Sequence, residues 1–298
     1  MKFAYPSQRF QDWLSQQWVI WRGRRFDPGS LPWLIGPFGN LDSISDDFIA
    51  KLAAAENLEI ERNVKTRGLL ASIDDLGLTK SESDRLDPGI IDFYENTAHY
   101  DLDLRIRWNP CFRIFGGLIN YLYSNRLKQL DFPLNQDEFS PGIISEVVRL
   151  RIPGSDSVKY TVWYRTLKSN GRVLFSGIYA VCRLPSGKAC IKVIFPLPRG
   201  NATVILEPEV GADGRLRLIA SGRVFGDPGF YFLLADSEDG QWAQYIRSFR
   251  ERLEIFVDGS GNLRAEHALT LWNLRVVGFK YNLVRKDPEK MEKEVGSS

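Results

Sequence analysis

The sequence is poor in the side chains that bind transition metals. Its 298 residues include only two histidines and three cysteines, and neither a CxxC spacing nor an HExxH pattern occurs. Structural and catalytic zinc sites need such side chains at short, regular spacings. The sequence therefore predicts no metal site, and we expect no cofactor.

The three cysteines, Cys111, Cys182 and Cys190, form an odd set, which favours reduced thiols over a disulfide framework. Cys182 and Cys190 flank the turn RLPSGKA and share a strand face. They could lie opposite each other across a hairpin. We interpret them as two small buried apolar residues.

Sequence motifs for nucleotide binding and for the common hydrolase nucleophile are missing. The chain has no GxGxxG after a strand, no GxxxxGK[ST] and no GxSxG. Its 39 Lys and Arg balance 37 Asp and Glu, so no nucleic-acid partner is expected. Arg22, Arg24 and Arg25 form the nearest basic cluster, which we interpret as an exposed helix end, with phosphate binding as the alternative.

Long apolar runs are missing as well. No run reaches the roughly 18 apolar residues of a membrane-spanning helix, and the start MKFAYPSQRFQDW lacks the apolar segment of a signal peptide. These absences predict a cytoplasmic protein without a transmembrane segment. Peripheral contact with a membrane remains compatible with them.

The patterns that are present predict an α+β fold. With 44% hydrophobic residues the chain can bury a sizeable core. We expect a helical N-terminal third, followed by a largely antiparallel, barrel-like β-sheet of about ten strands, since closure would remove exposed edges. One inserted helix is predicted in QWAQYIRSFRERL. The expected regions are 1–98, mainly helical and packed on the sheet, 99–285, the β-rich domain, and 286–298, a polar tail.

Two segments have apolar residues at helical spacing. Phe10, Trp13, Leu14, Trp18 and Trp21 recur at helical spacing, which predicts an amphipathic helix with its aromatic stripe in the core. A second apolar segment, Cys111 to Leu127, predicts another helix, weakened by two adjacent glycines. That helix must be covered by the fold, a partner or lipid, so it could be a lid, a core element or a partner surface.

One particular pairing register is predicted for a hairpin whose strands are TVILEPEV and GRLRLIAS, with GAD between them. Placing Glu209 opposite Arg215 also puts Glu207 opposite Arg217, with apolar residues on the other face. Cross-strand pairs of opposite charge favour such an arrangement.

Two ionisable residues interrupt otherwise apolar strand rows. Glu146 lies on the row of Ile144, Val148, Leu150 and Ile152, and His267 on the row of Leu263, Ala265, Leu269 and Leu271. A buried ionisable group is costly without a partner or a ligand. We predict Glu146 and His267 as a catalytic acid/base pair if both face one cavity. The alternative is that each is a hydrogen-bonded core residue.

A second group of polar and aromatic residues predicts ligand binding. Arg223, Asp227 and Phe230 belong to the stretch GRVFGDPGFYF, a turn crowded by aromatics. It is either a structural corner or the mouth of a pocket. Tyr164, Arg165, Tyr179 and Tyr281 are strand positions that could donate hydrogen bonds to a ligand.

These patterns lead to one expected function and two alternatives. We expect binding of a hydrophobic small molecule, such as a lipid, a polyketide or an isoprenoid, inside the β-domain. The first alternative is an enzyme, a hydrolase, isomerase or cyclase using Glu146 and His267. The second is a module for protein-protein or membrane-surface interaction. The expected partner is therefore a hydrophobic small molecule.

Overall fold

Antiparallel sheet dominates the structure, as predicted. The computed structural model describes residues 3–4, 6, 10–39, 46–62, 68–110, 112, 142–155 and 157–286. Strands make up about half of the described residues and helices about a fifth. The predicted helix from Cys111 to Leu127 lies outside the described residues.

The strands follow the runs of β-branched and aromatic residues that the sequence presents. In the described part of the chain they are β1 (Arg24–Phe26), β2 (Glu59–Glu61), β3 (Tyr100–Trp108), β4 (Ile143–Arg151), β5 (Val158–Leu167), β6 (Val173–Arg183), β7 (Ala189–Leu197), β8 (Gly200–Val210), β9 (Leu216–Ala220), β10 (Gly229–Ala235), β11 (Gln241–Tyr245), β12 (Phe249–Val257), β13 (Leu263–Leu271) and β14 (Leu274–Arg285).

The α-helices described are α1 (Phe10–Arg22), α2 (Asp46–Ala55), α3 (Lys80–Ser83) and α4 (Pro88–Glu95). At the start of helix α4, the side chain of Asp87 accepts a hydrogen bond from the amide of Gly89 at 2.8 Å, and Pro88 occupies the first turn. Strands β1 and β2 lie among the helices, so a helical N-terminal third is not clearly seen.

All fourteen strands belong to one sheet. Its main path runs β2-β4-β5-β6-β7-β8-β9-β12-β13-β14-β3. Strand β8 is long enough to pair with β9 at one end and β10 at the other, and β10 continues to β11 and β1. The sheet therefore divides at β8 into two arms.

The inner face of this curved sheet carries the largest apolar cluster. It combines residues of β3 to β9 and β12 to β14 with side chains from helix α4. Ile90, Phe93 and Tyr94 of α4 are buried in this cluster. Helix α4 therefore fills one end of the concave inner face.

The outer face is covered in two places. Phe48, Ile49 and Leu52 of helix α2 pack on Val148 and Leu150 of β4 and on neighbouring strands. Trp33 and Leu34 pack on β6, β7 and β10. Strands in the middle of the sheet are thus buried on both faces.

The predicted barrel is not confirmed, because the sheet is not closed. Strands β3 and β4 approach each other but do not pair: β3 is the last strand of the hydrogen-bonded path, and β4 is the second strand from its other end, next to β2. The curvature brings their inner faces together without completing the ring.

The predicted helix in QWAQYIRSFRERL is wrong. These residues form β11 and the first half of β12. Strand β11 pairs with both β1 and β10, and β12 pairs with β9 and β13. The apolar spacing fits a helix locally, but the sheet provides partners on both sides of each segment, and these contacts override the local pattern.

The predicted register of the β8–β9 hairpin is shifted by two residues. Glu209 pairs with Arg217, and Val210 pairs with Leu216, because the turn Gly211 to Arg215 closes with a hydrogen bond from the amide of Gly211 to the carbonyl of Arg215. An even shift keeps each residue on its predicted face. Glu207 instead contacts Lys188.

Helix α1 forms as predicted, but its aromatic stripe faces outward. Val19 and Ile20 are its buried apolar residues, whereas Phe10, Leu14 and Trp21 are exposed. The interpretation of the whole stripe as core is therefore wrong.

Cys182 and Cys190 pair directly across β6 and β7, and both are free and buried. Burial raises the pKa of the Cys182 thiol to about 11 and that of Cys190 to about 12. Since the thiolate is the reactive form, both thiols should be inert in the folded protein.

Thiol titration tests this arrangement. In a Cys111→Ser variant, neither remaining thiol should react with a disulfide reagent at about pH 8, where burial keeps both protonated. Both should react once the protein is unfolded in guanidinium chloride. Rapid reaction of two thiols in the native protein would contradict the burial of this pair.

Candidate functional site

Five polar side chains meet on the inner face, and together they form the inner polar cluster. Its members come from five strands and are Arg165 on β5, Tyr179 on β6, Glu251 on β12, His267 on β13 and Tyr281 on β14. Alternation along each strand turns these residues inward, beside apolar neighbours such as Trp163, Leu253 and Phe279.

Arg165 is the most unusual member of the cluster. It is 4% exposed, and its guanidinium carbon lies 4.1 Å from the ring centroids of both Trp163 and Phe175. Within the described residues its Nε has no hydrogen-bond partner, and no carboxylate forms an ion pair with it. Arg165 also hydrogen-bonds the side chain of Tyr281. A buried guanidinium has five N–H donors, so a cation with this contact and no carboxylate partner keeps N–H groups for an anion.

Two tyrosine hydroxyls accompany this guanidinium. The ring of Tyr281 lies 5.9 Å from the guanidinium carbon of Arg165. Burial raises the pKa of Tyr179 and of Tyr281, with the positive charge of Arg165 opposing this effect and the negative charge of Glu251 adding to it. Both hydroxyls therefore stay protonated at neutral pH and can donate hydrogen bonds.

His267 has an acidic neighbour, although not the predicted one. Its Nε2 lies 2.7 Å from Oε1 of Glu251, but the oxygen lies off the direction that a ring N–H bond requires for a hydrogen bond. The imidazole also stacks on Phe279, with 5.1 Å between ring centroids. Glu251 was missed from the sequence because its segment was interpreted as a helix.

Burial along the strands shows where the inner face opens. On β13, Leu263 and Ala265 are buried, whereas His267 and Leu269 are only half-buried. Six apolar side chains packed at the margin of the inner cluster are likewise half-buried: Ile106, Trp108, Phe195, Phe230, Leu253 and Leu269. The inner face is therefore filled at the α4 end and partly open at the other, where a concave apolar surface surrounds the polar cluster.

The predicted pair of Glu146 and His267 does not form. Val147 of β4 faces the inner cluster, whereas Glu146 and Val148 face outward. There Glu146 forms an ion pair with Arg62 at 3.3 Å. Tyr164 pairs across the strands with Glu146 and so also lies on the outer face.

The turn around Asp227 is a structural corner. Its carboxylate accepts hydrogen bonds from the amides of Arg223 and Val224 at 2.8 and 3.1 Å. Phe225 and Tyr231 pack edge-to-face on Trp33 of the outer face. Arg223 and Asp227 thus lie away from the inner polar cluster.

The third candidate from this stretch, Phe230, faces inward and lies 4.4 Å from Phe249 between ring centroids. The inner face thus brings together five of the predicted residues: Arg165, Tyr179, Phe230, His267 and Tyr281. Tyr164, Arg223, Asp227 and Glu146 lie elsewhere.

Two clefts lie outside the inner face. One, of about 110 Å³, runs between helix α1 and strand β10, and another, of about 280 Å³, lies beside Arg247 and Trp272. Neither cleft is lined by a member of the polar cluster.

Comparison with known proteins gives one distant relative. The chain is 28% identical over 194 residues to the uncharacterized membrane protein YndJ of Bacillus subtilis strain 168. The matched region covers 64% of this chain and 33% of the relative, so it spans about a third of that protein's length. No family model and no solved structure matches the chain. Among the described residues, no helix is long and apolar enough to cross a membrane.

A stability measurement tests the unpaired state of Arg165. Arg165→Met removes a buried charge while keeping apolar volume, so it should raise the free energy of unfolding by about 1 kcal/mol. The matched control is Arg217→Met, which removes a half-buried ion pair to Glu254 at 3.1 Å and should lower stability by about 0.5 kcal/mol.

Chemical denaturation of both variants provides the comparison. A loss of more than about 1 kcal/mol in Arg165→Met would mean that the aromatic contacts make Arg165 a net structural element.

Proposed function

We propose that this protein binds an amphipathic small molecule with an acidic head group at the inner polar cluster. The observation that carries the proposal is Arg165, a buried guanidinium without a carboxylate partner among the described residues. Burying an unpaired charge is unfavourable, and such groups concentrate at binding sites.

The head group suited to this cluster is a carboxylate or a phosphate. Arg165 would bind it through guanidinium N–H groups, since the guanidinium contacts the rings of Trp163 and Phe175 but forms no ion pair among the described residues. The hydroxyls of Tyr179 and Tyr281, kept protonated by burial, would donate further hydrogen bonds.

The apolar body of the ligand would lie along the half-buried inner side chains. Ile106, Trp108 and Leu269 have apolar surface that the fold leaves partly uncovered, and covering it contributes roughly 25 cal/mol per Å². The Bacillus subtilis relative is named a membrane protein, and a lipid-derived acid would be abundant at such a location. The ligand class is therefore a fatty, isoprenoid or polyketide acid.

A paired ligand set tests the head-group preference. Delipidated protein is titrated with a fluorescent long-chain fatty acid and with the alcohol of the same chain length. The wild type should bind the acid about tenfold more tightly, because a hydrogen bond to a charged group contributes about 1.5–3 kcal/mol. Arg165→Met should bind acid and alcohol equally.

Glu146→Gln is the matched control, since Glu146 lies on the outer face, and it should retain the wild-type preference. Equal binding of acid and alcohol by the wild type would refute the role of Arg165. Failure of the wild type to bind either probe would refute the ligand class.

A second candidate function is acid/base catalysis on the bound ligand. It is favoured by the 2.7 Å contact between His267 and Glu251, because a carboxylate beside an imidazole can orient it for proton transfer. In this candidate function His267 has the acid/base role predicted from the sequence, and Glu251 takes the place of Glu146 as its acidic partner.

Mass spectrometry of extracted ligands separates binding from catalysis. If His267 moves a proton during a reaction, the wild type should carry product and His267→Gln should carry unconverted substrate of different mass. Identical ligand masses in both proteins would leave simple binding as the function.

A further inference from the structure

Helix α1 is attached to the sheet by its polar side. Asp12 and Gln16 are 5% and 7% exposed, and the side-chain amide of Gln16 donates a hydrogen bond to the carbonyl of Pro198 at 2.7 Å. Val19 and Ile20 complete the buried side next to Leu234 of β10. Surface helices of globular proteins normally bury an apolar stripe and expose a polar one.

The opposite side of α1 exposes an apolar stripe. Phe10 is 74% exposed, Leu14 55%, Trp18 43% and Trp21 78%. Their spacings of four, four and three residues place all four on one side of the helix. Exposed aromatic residues concentrated in this way mark an interaction surface rather than scattered surface hydrophobicity.

The stripe extends beyond the helix. Phe3 is 51% exposed, and the amide of neighbouring Ala4 donates to the side chain of Gln17 at 3.1 Å. This contact places Phe3 beside α1. The exposed apolar surface therefore includes a flanking segment as well as the helix.

On helix α1 itself, the exposed charge is basic. Asp12 is the acidic residue of α1, and it is buried against the sheet. Arg22, Arg24 and Arg25 follow Trp21 and are exposed. Asp236 acts electrostatically on Arg25, and Arg24 contacts the ring of Phe225. Arg22 directly follows Trp21 and therefore borders the stripe. A basic end next to exposed tryptophans complements an anionic surface.

We propose that helix α1 docks this protein on an anionic lipid bilayer, lying in the plane of the interface. Phe10, Leu14, Trp18 and Trp21 would enter the boundary between head groups and acyl chains, where tryptophan is favoured. Arg22 would contact lipid phosphates. The stripe is convex and narrow, as one face of a single helix is. A bilayer can accommodate such a helix without offering a complementary groove, so a lipid surface suits it.

This inference is independent of the ligand site. Helix α1 packs on β10 and β11, whereas the inner polar cluster lies on β5, β6 and β12 to β14. Either could be refuted without affecting the other.

Vesicle flotation tests the docking surface. Wild-type full-length protein should float with vesicles of phosphatidylcholine and phosphatidylglycerol and bind pure phosphatidylcholine more weakly. Leu14→Ser combined with Trp21→Ser should weaken binding more than about tenfold. Arg22→Gln should weaken binding to the anionic vesicles about fivefold.

Trp272→Ser is the matched control, because Trp272 is 70% exposed on the β13–β14 turn. It should bind as the wild type does, and all variants should retain the wild-type thermal unfolding curve. Wild-type protein that floats with neither vesicle, or a control as weak as the double variant, would overturn the proposal. A wild-type dimer that the double variant disperses, without vesicle binding, would assign the stripe to a second copy of the chain.

Discussion

The middle strands of the sheet are buried on both faces, and the rest of the structure depends on that constraint. Residues 173–178 of β6 and 189–194 of β7 are buried without alternation. Such strands require apolar cover on each side. Helix α2 and the residues around Trp33 provide it outside, and the curled sheet with helix α4 provides it inside.

Because the sheet is curved, the polar side chains on its inner face are candidates for a functional site. A strongly curved inner face shields the side chains in its middle from water, so a polar side chain buried there needs a partner. Glu251 and His267 contact each other, and the tyrosines remain neutral through burial. Arg165 contacts the rings of Trp163 and Phe175 and has a buried Nε without a hydrogen-bond partner. The formal charges of Arg165 and Glu251 thus cancel, although the two side chains form no ion pair with each other.

Strand identity was readable from the sequence because alternation and turn residues are local properties. The assignment of faces was not, since β4 has apolar residues on both sides: Ile143 and Val147 face inward, and Val148 and Leu150 face α2. Glu146 was therefore assigned to the wrong side. His267 was assigned correctly because its strand has one apolar face.

The remaining errors have the same origin in long-range contacts. Local spacing could not show that Glu251 belongs to a strand between β9 and β13, nor that β3 and β4 stop short of pairing. Helix α1 was recognised from its period, but its orientation depends on Gln16 reaching Pro198. The spacing of apolar residues alone does not show which face of a helix packs against the rest of the protein.

Photo-crosslinking with a long-chain fatty acid carrying a diazirine tests the location of the ligand site most directly. Peptide mapping should find the label on the inner-face residues of β3, β6 and β12 to β14, and Arg165→Met should abolish it there. Labelling confined to helix α1 or to the outer face, unchanged in Arg165→Met, would contradict an acid-binding site on the inner face.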